Sequence, residues 1–179
     1  MRVSADGLGE ISFSEQQVEA MEWFAKQVSM RDYFFLALLG RRGLRISESL
    51  QVTRERLQNN GVLVRVKGGR TVLKVLPSYL YKELVDYSEP LPKIEQIVPI
   101  GRRQGYNICL KYAKMAGVEN WKRAHPHRWR AYFGTHHARR TGRDPWKVKS
   151  LMGHKDLRST AIYVDDLSPE EEQIEVDEI

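Results

Sequence analysis

At 179 residues, with 41% hydrophobic and 29% charged side chains, the chain has the length and balance of one globular domain with a real core. Its single cysteine, Cys109, excludes a disulfide framework and a four-cysteine zinc site and fits a reducing, cytoplasmic setting, while no run of about 18 apolar residues offers a membrane span. The net charge of +6 is regional: residues 101–163 hold 15 Lys and Arg against three acidic residues, and residues 164–179 hold eight acidic residues and no base.

The opening segment MRVSADGLGEISF has neither the basic start nor the apolar run of a targeting peptide. Ser14 and Gln17 form a capping-box pattern ahead of an apolar stripe at Val18, Met21, Phe24, Ala25 and Val28, which predicts a first helix with Trp23 off the stripe. RDYFFLALLGRRG predicts a strongly apolar second helix ending at Gly40 and Gly43, and a short helix is expected in ISESLQV. In GVLVRVKGGRTVLKVLP two β-rich runs flank KGGR, the signature of a hairpin that ends at Pro77. SYLYKELVDYS, QGYNICLKYAKMAG, HRWRAYFGTHHARRTG and PWKVKSLMG read as helices, the last with Pro145 at its first position and Gly153 just past its end. The expected fold is mainly α with a small antiparallel β-sheet.

Four clusters carry chemical possibilities. In GLRISE, Arg45 falls between a glycine turn and a helix start, where backbone N–H groups also favour an anion, and Glu48 stands one helical step away to orient it. The plainer reading is a surface ion pair. Lys67 sits at the hairpin tip beside two glycines, placed to reach a phosphate or release a proton, or simply to keep the hairpin soluble. In PHRWRAYFGTHHA, helical spacing puts Trp129, Tyr132, Phe133 and His136 on one side and His127, Arg130, Ala131, Gly134 and Ala138 on the other. The second face leaves room for a bulky anion. His136 reads as a core or supporting histidine, and the histidines lack the spacing of a metal site, so none is expected. In LMGHKDLRSTAIYV, His154 follows a helix C-cap, and Tyr163 lies in a short segment capped by Ser159 or Thr160, where a tyrosine serves equally well as a core residue.

Taken in order, GLRISE, VKGGRTVLKVLP, PHRWRAYFGTHHA and LMGHKDLRSTAIYV resemble the signature boxes of the tyrosine recombinase (phage integrase) family over about residues 10–165. The resemblance implies the catalytic core fold of that family, a nucleophilic Tyr163, phosphate-binding Arg45 and Arg130, a catalytic Lys67, and catalytic His127 and His154, with Glu48 in support. Ala131 departs from the pattern, since the family usually has a histidine directly after this arginine. The DNA-clamping domain that usually precedes the catalytic one is not matched, so the chain is expected to be a single catalytic domain, 1–179, with an acidic tail at 166–179.

The implied activity is site-specific cleavage and rejoining of double-stranded DNA through a 3′-phosphotyrosine, with no metal or other cofactor. The implied assembly is a monomer in solution and a tetramer on synapsed DNA. A type IB topoisomerase and a DNA-binding relative that does not cleave are the alternatives. Tyrosine suits the chemistry because its ester keeps the bond energy for a later attack by a DNA hydroxyl. Its free pKa near 10 demands a strongly cationic pocket.

Overall fold

A computed structural model describes residues 12–153 together with 160 and 161. The described residues divide into two compact units, one spanning Ser14–Arg130 and the other containing residues 12–13, 131–153, 160 and 161.

In the first unit, α1 (Glu15–Val28) begins as its sequence predicts. Ser14 Oγ accepts from the Gln17 amide at 3.2 Å, and Gln17 Oε1 accepts from the Ser14 amide at 3.0 Å. Val18, Met21 and Ala25 are buried, but Val28, expected on the same stripe, is exposed. The reason is local: the next residue, Ser29, already caps α2 (Met30–Gly40), so the chain turns before Val28 can join the core. Residues 32–40 of α2 are all buried, as an apolar helix surrounded by others must be. Gly40 is required by contact, because a Cβ there would stand 2.9 Å from Trp129 Cε3. Gly43 takes φ 66°, and the Leu44 amide reaches back to Leu38 O at 3.1 Å, closing the helix end.

The short helix α3 covers only Ile46–Ser49. The sheet has three antiparallel strands in the order β1 (Leu57–Gln58), β2 (Gly61–Arg65), β3 (Thr71–Val75). The β2–β3 hairpin is the predicted one, its turn using positive φ at Gly68 and Gly69. The sequence reading did not foresee β1. It is joined to β2 through Asn59 and Asn60, at φ 49° and 56°, the geometry of a primed turn whose hand matches strand twist.

Helix α4 (Ser78–Ser88) buries Leu80 and Leu84, and α5 (Arg102–Met115) buries Ile108, Cys109, Tyr112 and Ala113. Gly105 lets α5 lie close to the core, since a Cβ there would fall 2.8 Å from Phe35 and 2.9 Å from Ile46. Helix α6 (Pro126–Arg140) begins in the first unit and ends in the second. Its residues 128–134 are all buried, so the two-faced pattern read from the sequence does not leave an open Ala/Gly face.

In the second unit, α7 (Pro145–Met152) starts at Asp144, whose carboxylate accepts from the amides of Trp146 and Lys147 at 2.9 and 3.1 Å. It ends at Gly153 with φ 65°, matching the predicted proline start and glycine stop. Phe133, Ala138, Val148 and Met152 form this unit's apolar cluster. None of the described helices is long and apolar enough to cross a membrane.

Candidate active site

The glycine turn after α2 delivers Arg45 to the N-cap of α3, and one carboxylate fixes it there. Glu48 Oε2 accepts from the Arg45 amide at 3.0 Å, and Glu48 Oε1 accepts from Arg45 Nη1 at 2.9 Å. Glu48 is 1% exposed, whereas the Arg45 side chain keeps 35% of its surface in solvent. A buried acceptor therefore holds a guanidinium whose outer edge stays available to an anion.

Arg130 reaches the same turn from α6. It is buried, and its Nη1 donates to the carbonyl of Gly43, two residues before Arg45. Arg45 and Arg130, far apart in sequence, are thus anchored to one loop. Arg42, half-buried in that loop, has its pKa lowered by burial, with Glu48 acting in the opposite direction.

A cation that the motifs did not select belongs to the same cluster. Lys74 lies on β3 opposite Val62. Its pKa is pushed down to about 8, first by burial and then by Arg42, with Arg130 and Arg45 adding and Glu48 opposing. Among the described residues, Arg42, Arg45 and Arg130 thus act on Lys74 with one sign and Glu48 with the other. Sequence alternation gives no hint of this lysine, because TVLKV places the apolar Leu73 and Val75 on the face opposite to it, and those two are the exposed ones.

Of the remaining expected catalytic residues, Lys67 and His127 are described and exposed, and the others lie outside the described residues. Lys67 is exposed at the hairpin tip, and its ammonium makes no hydrogen bond or ion pair among the described residues. His127 is exposed on the first turn of α6, its ring 6.1 Å from that of His125. His136 is half-buried, with its ring 5.6 Å from Tyr132. His154, Tyr163 and Ser159 lie outside the described residues; Thr160 is described and buried. No group of three His, Cys, Asp or Glu side chains suited to a metal ion occurs among the described residues.

The model of the phage integrase family matches residues 12–169. A tyrosine recombinase of Pseudothermotoga lettingae is 31% identical over 145 residues, covering 76% of this chain and 50% of the relative. The tyrosine recombinase XerC of Staphylococcus aureus is 29% identical over 170 residues, covering 84% of this chain and 55% of its own length. The chain thus spans about half the length of the curated relatives it matches. Among solved structures, the XerA recombinase superposes with a TM-score of 0.74 at 20% identity, covering 93% of this chain and 64% of that one. The catalytic domain of bacteriophage HP1 integrase gives 0.66 at 15% identity, with 93% of both chains covered. These likenesses establish the mainly helical fold with its small antiparallel sheet as that of an integrase catalytic domain.

Proposed function

The chain belongs to the phage integrase family, and from that premise we propose that it is the catalytic domain of a site-specific DNA recombinase that cleaves and rejoins strands through a 3′-phosphotyrosine. The observation that carries this reading is the convergence of Arg45, held by Glu48, and Arg130 on the Gly43 turn. The names of its relatives point the same way, and a XerH recombinase of the same fold has been captured on its difH substrate before cleavage.

In the proposed mechanism, the two guanidinium forks hold the non-bridging oxygens of the scissile phosphate. A planar fork matches that geometry in a way an ammonium does not. Their charge is set in place before reaction, so it stabilises the developing phosphorane without reorganisation. The Tyr163 hydroxyl attacks phosphorus, the bond to the 5′ oxygen breaks, and the protein is left esterified to the 3′ phosphate. His127 exchanges a proton with the tyrosine, His154 gives a further hydrogen bond to the phosphate, and Lys67 protonates the departing 5′ oxygen. Rejoining reverses these steps with a 5′ hydroxyl as nucleophile. The reaction is a transesterification and consumes no cofactor. The protein acts on double-stranded DNA in the cytoplasm, as a monomer that assembles into a tetramer on synapsed sites.

The test uses duplexes that the protein itself selects from a random-sequence library, rebuilt with a nick that lets the cleaved fragment diffuse away. The proposal expects a covalent protein–DNA adduct in denaturing gels, and strand exchange when two intact duplexes are supplied. Binding without any adduct marks a DNA-binding relative instead, and relaxation of supercoils without exchange marks a topoisomerase.

A further inference from the structure

We propose that Lys74, outside the set drawn from the motifs, is a further phosphate-contacting residue of this site, its ammonium holding a non-bridging oxygen beside Arg45 and Arg130. The inference rests on the recombinase reading for the identity of the phosphate; what singles out Lys74 is its inward place on β3 and its burial.

Residues paired across two antiparallel strands share a face, so Lys74, opposite Val62, shares its face with Val62, and Val64 and Val72 follow on the same side. Val62 and Val64 are fully buried, while Leu73 and Val75 on the other face are 38% and 58% exposed. Lys74 is 7% exposed and therefore points inward, although lysine is among the residues least often buried without a partner. Among the described residues its ammonium makes no hydrogen bond or ion pair. The charges of Arg42, Arg45 and Arg130 act on it, and Glu48, which opposes them, is already bonded twice to Arg45. A bound phosphate supplies the anionic partner that the Lys74 ammonium lacks among the described residues. A rigid strand also places Lys74 more accurately than a hairpin tip places Lys67, which suits charge holding in Lys74 and proton delivery in Lys67.

Inward lysines also occur on edge strands as guards against aggregation, and β3 is an edge of this sheet. The experiment separates the two roles. Lys74→Met and Lys74→Arg are made in the 179-residue chain. Adduct formation is timed on the selected nicked duplex and on the same duplex with sulfur in place of the bridging 5′ oxygen. Loss of a charge-assisted hydrogen bond to phosphate slows Lys74→Met by roughly 10–100-fold on both substrates, and Lys74→Arg retains more of the rate. The melting temperature of Lys74→Met without DNA stays equal to the wild type or rises, because a buried like charge has been removed. A wild-type rate, rescue by sulfur, or a lowered melting temperature with unchanged chemistry each overturns the proposal.

A second readout does not depend on cleavage. Calorimetric titration with inorganic phosphate at constant ionic strength gives about tenfold weaker binding for Lys74→Met than for the wild type. Equal binding, or none to the wild type, overturns the pocket. Phosphate binding through Lys74 with no adduct from the wild type overturns the recombinase reading and leaves the pocket standing.

Discussion

Glu48 bonds Arg45 twice, accepting from its backbone amide at 3.0 Å and from its guanidinium at 2.9 Å. One buried carboxylate therefore sets both the start of α3 and the direction of a side chain proposed to bind phosphate. Glu48→Gln keeps the volume but loses the charge that opposes three arginines and Lys74. We expect a stability loss of about 2 kcal/mol, the usual cost of a buried charge-assisted bond, and adduct formation slowed by at least tenfold. Melting curves and single-turnover cleavage check the two effects separately. Unchanged cleavage with normal melting makes the pair an ordinary surface cap.

The depressed pKa of Lys74 gives stability a pH dependence of defined sign. Its folded value of about 8 lies below the ordinary 10.5, so between those values the unfolded chain binds more protons and folding becomes more favourable as pH rises. Below pH 8 the cost is present in full. Cys109, Tyr33 and Tyr112 act oppositely, since burial raises all three, but only once their unfolded counterparts ionise above 9 or 10. The window from pH 7.5 to 9 is therefore the clean one. The wild type should gain roughly 1 kcal/mol over Lys74→Met across it, measured by urea unfolding at each pH. Parallel curves for the two proteins contradict the burial of this ammonium.

Packing behind the site is tight enough to test with one methyl group. A Cβ at Gly40 would meet the fully buried Trp129, one residue before Arg130, at 2.9 Å. Gly40→Ala gains helix propensity but forces the indole to shift, and the overpacking term of about 1–3 kcal/mol wins. We expect a lower melting temperature and weaker cleavage together. A stabilised variant shows that Trp129 yields more easily than its burial implies.

Much of this architecture is legible before any coordinates. Ser14 with Gln17, and Pro145 with Gly153, are punctuation whose chemistry is local, so the ends of α1 and α7 follow from the residues themselves. The tip of the β2–β3 hairpin is equally local, because only glycines accept the φ of 103° and 82° found there. Strand β1 has two residues and so no periodicity to read, and its only advertisement is the Asn59–Asn60 turn. The burial of Lys74 escapes for a different reason. Its face is decided by the register with β2, a tertiary fact, and the alternation of apolar residues in β3 points the other way. The convergence of Arg45 and Arg130 on Gly43 likewise depends on where α6 runs, and no pattern within either segment contains it.

The basic block sets an expectation about affinity. Residues 101–163 carry 15 Lys and Arg against three acidic residues, so DNA binding should be dominated by phosphate neutralisation. If about six to ten phosphates are contacted, affinity falls by roughly 10³–10⁵ between 50 and 200 mM salt. Fluorescence anisotropy across that range checks the slope. A salt-insensitive complex means that this block does not face DNA.

If this chain cleaves DNA as proposed, one of its tyrosines becomes esterified to DNA, and the position of that ester can be measured directly. The adduct formed on the nicked duplex is digested with nuclease and protease, and the peptide bearing a nucleotide remnant is sequenced by mass spectrometry. The account predicts a 3′-phosphotyrosine at Tyr163, with Tyr163→Phe binding the duplex about as well as the wild type and forming no adduct. A remnant on any other residue, or an adduct persisting at wild-type level in Tyr163→Phe, contradicts it.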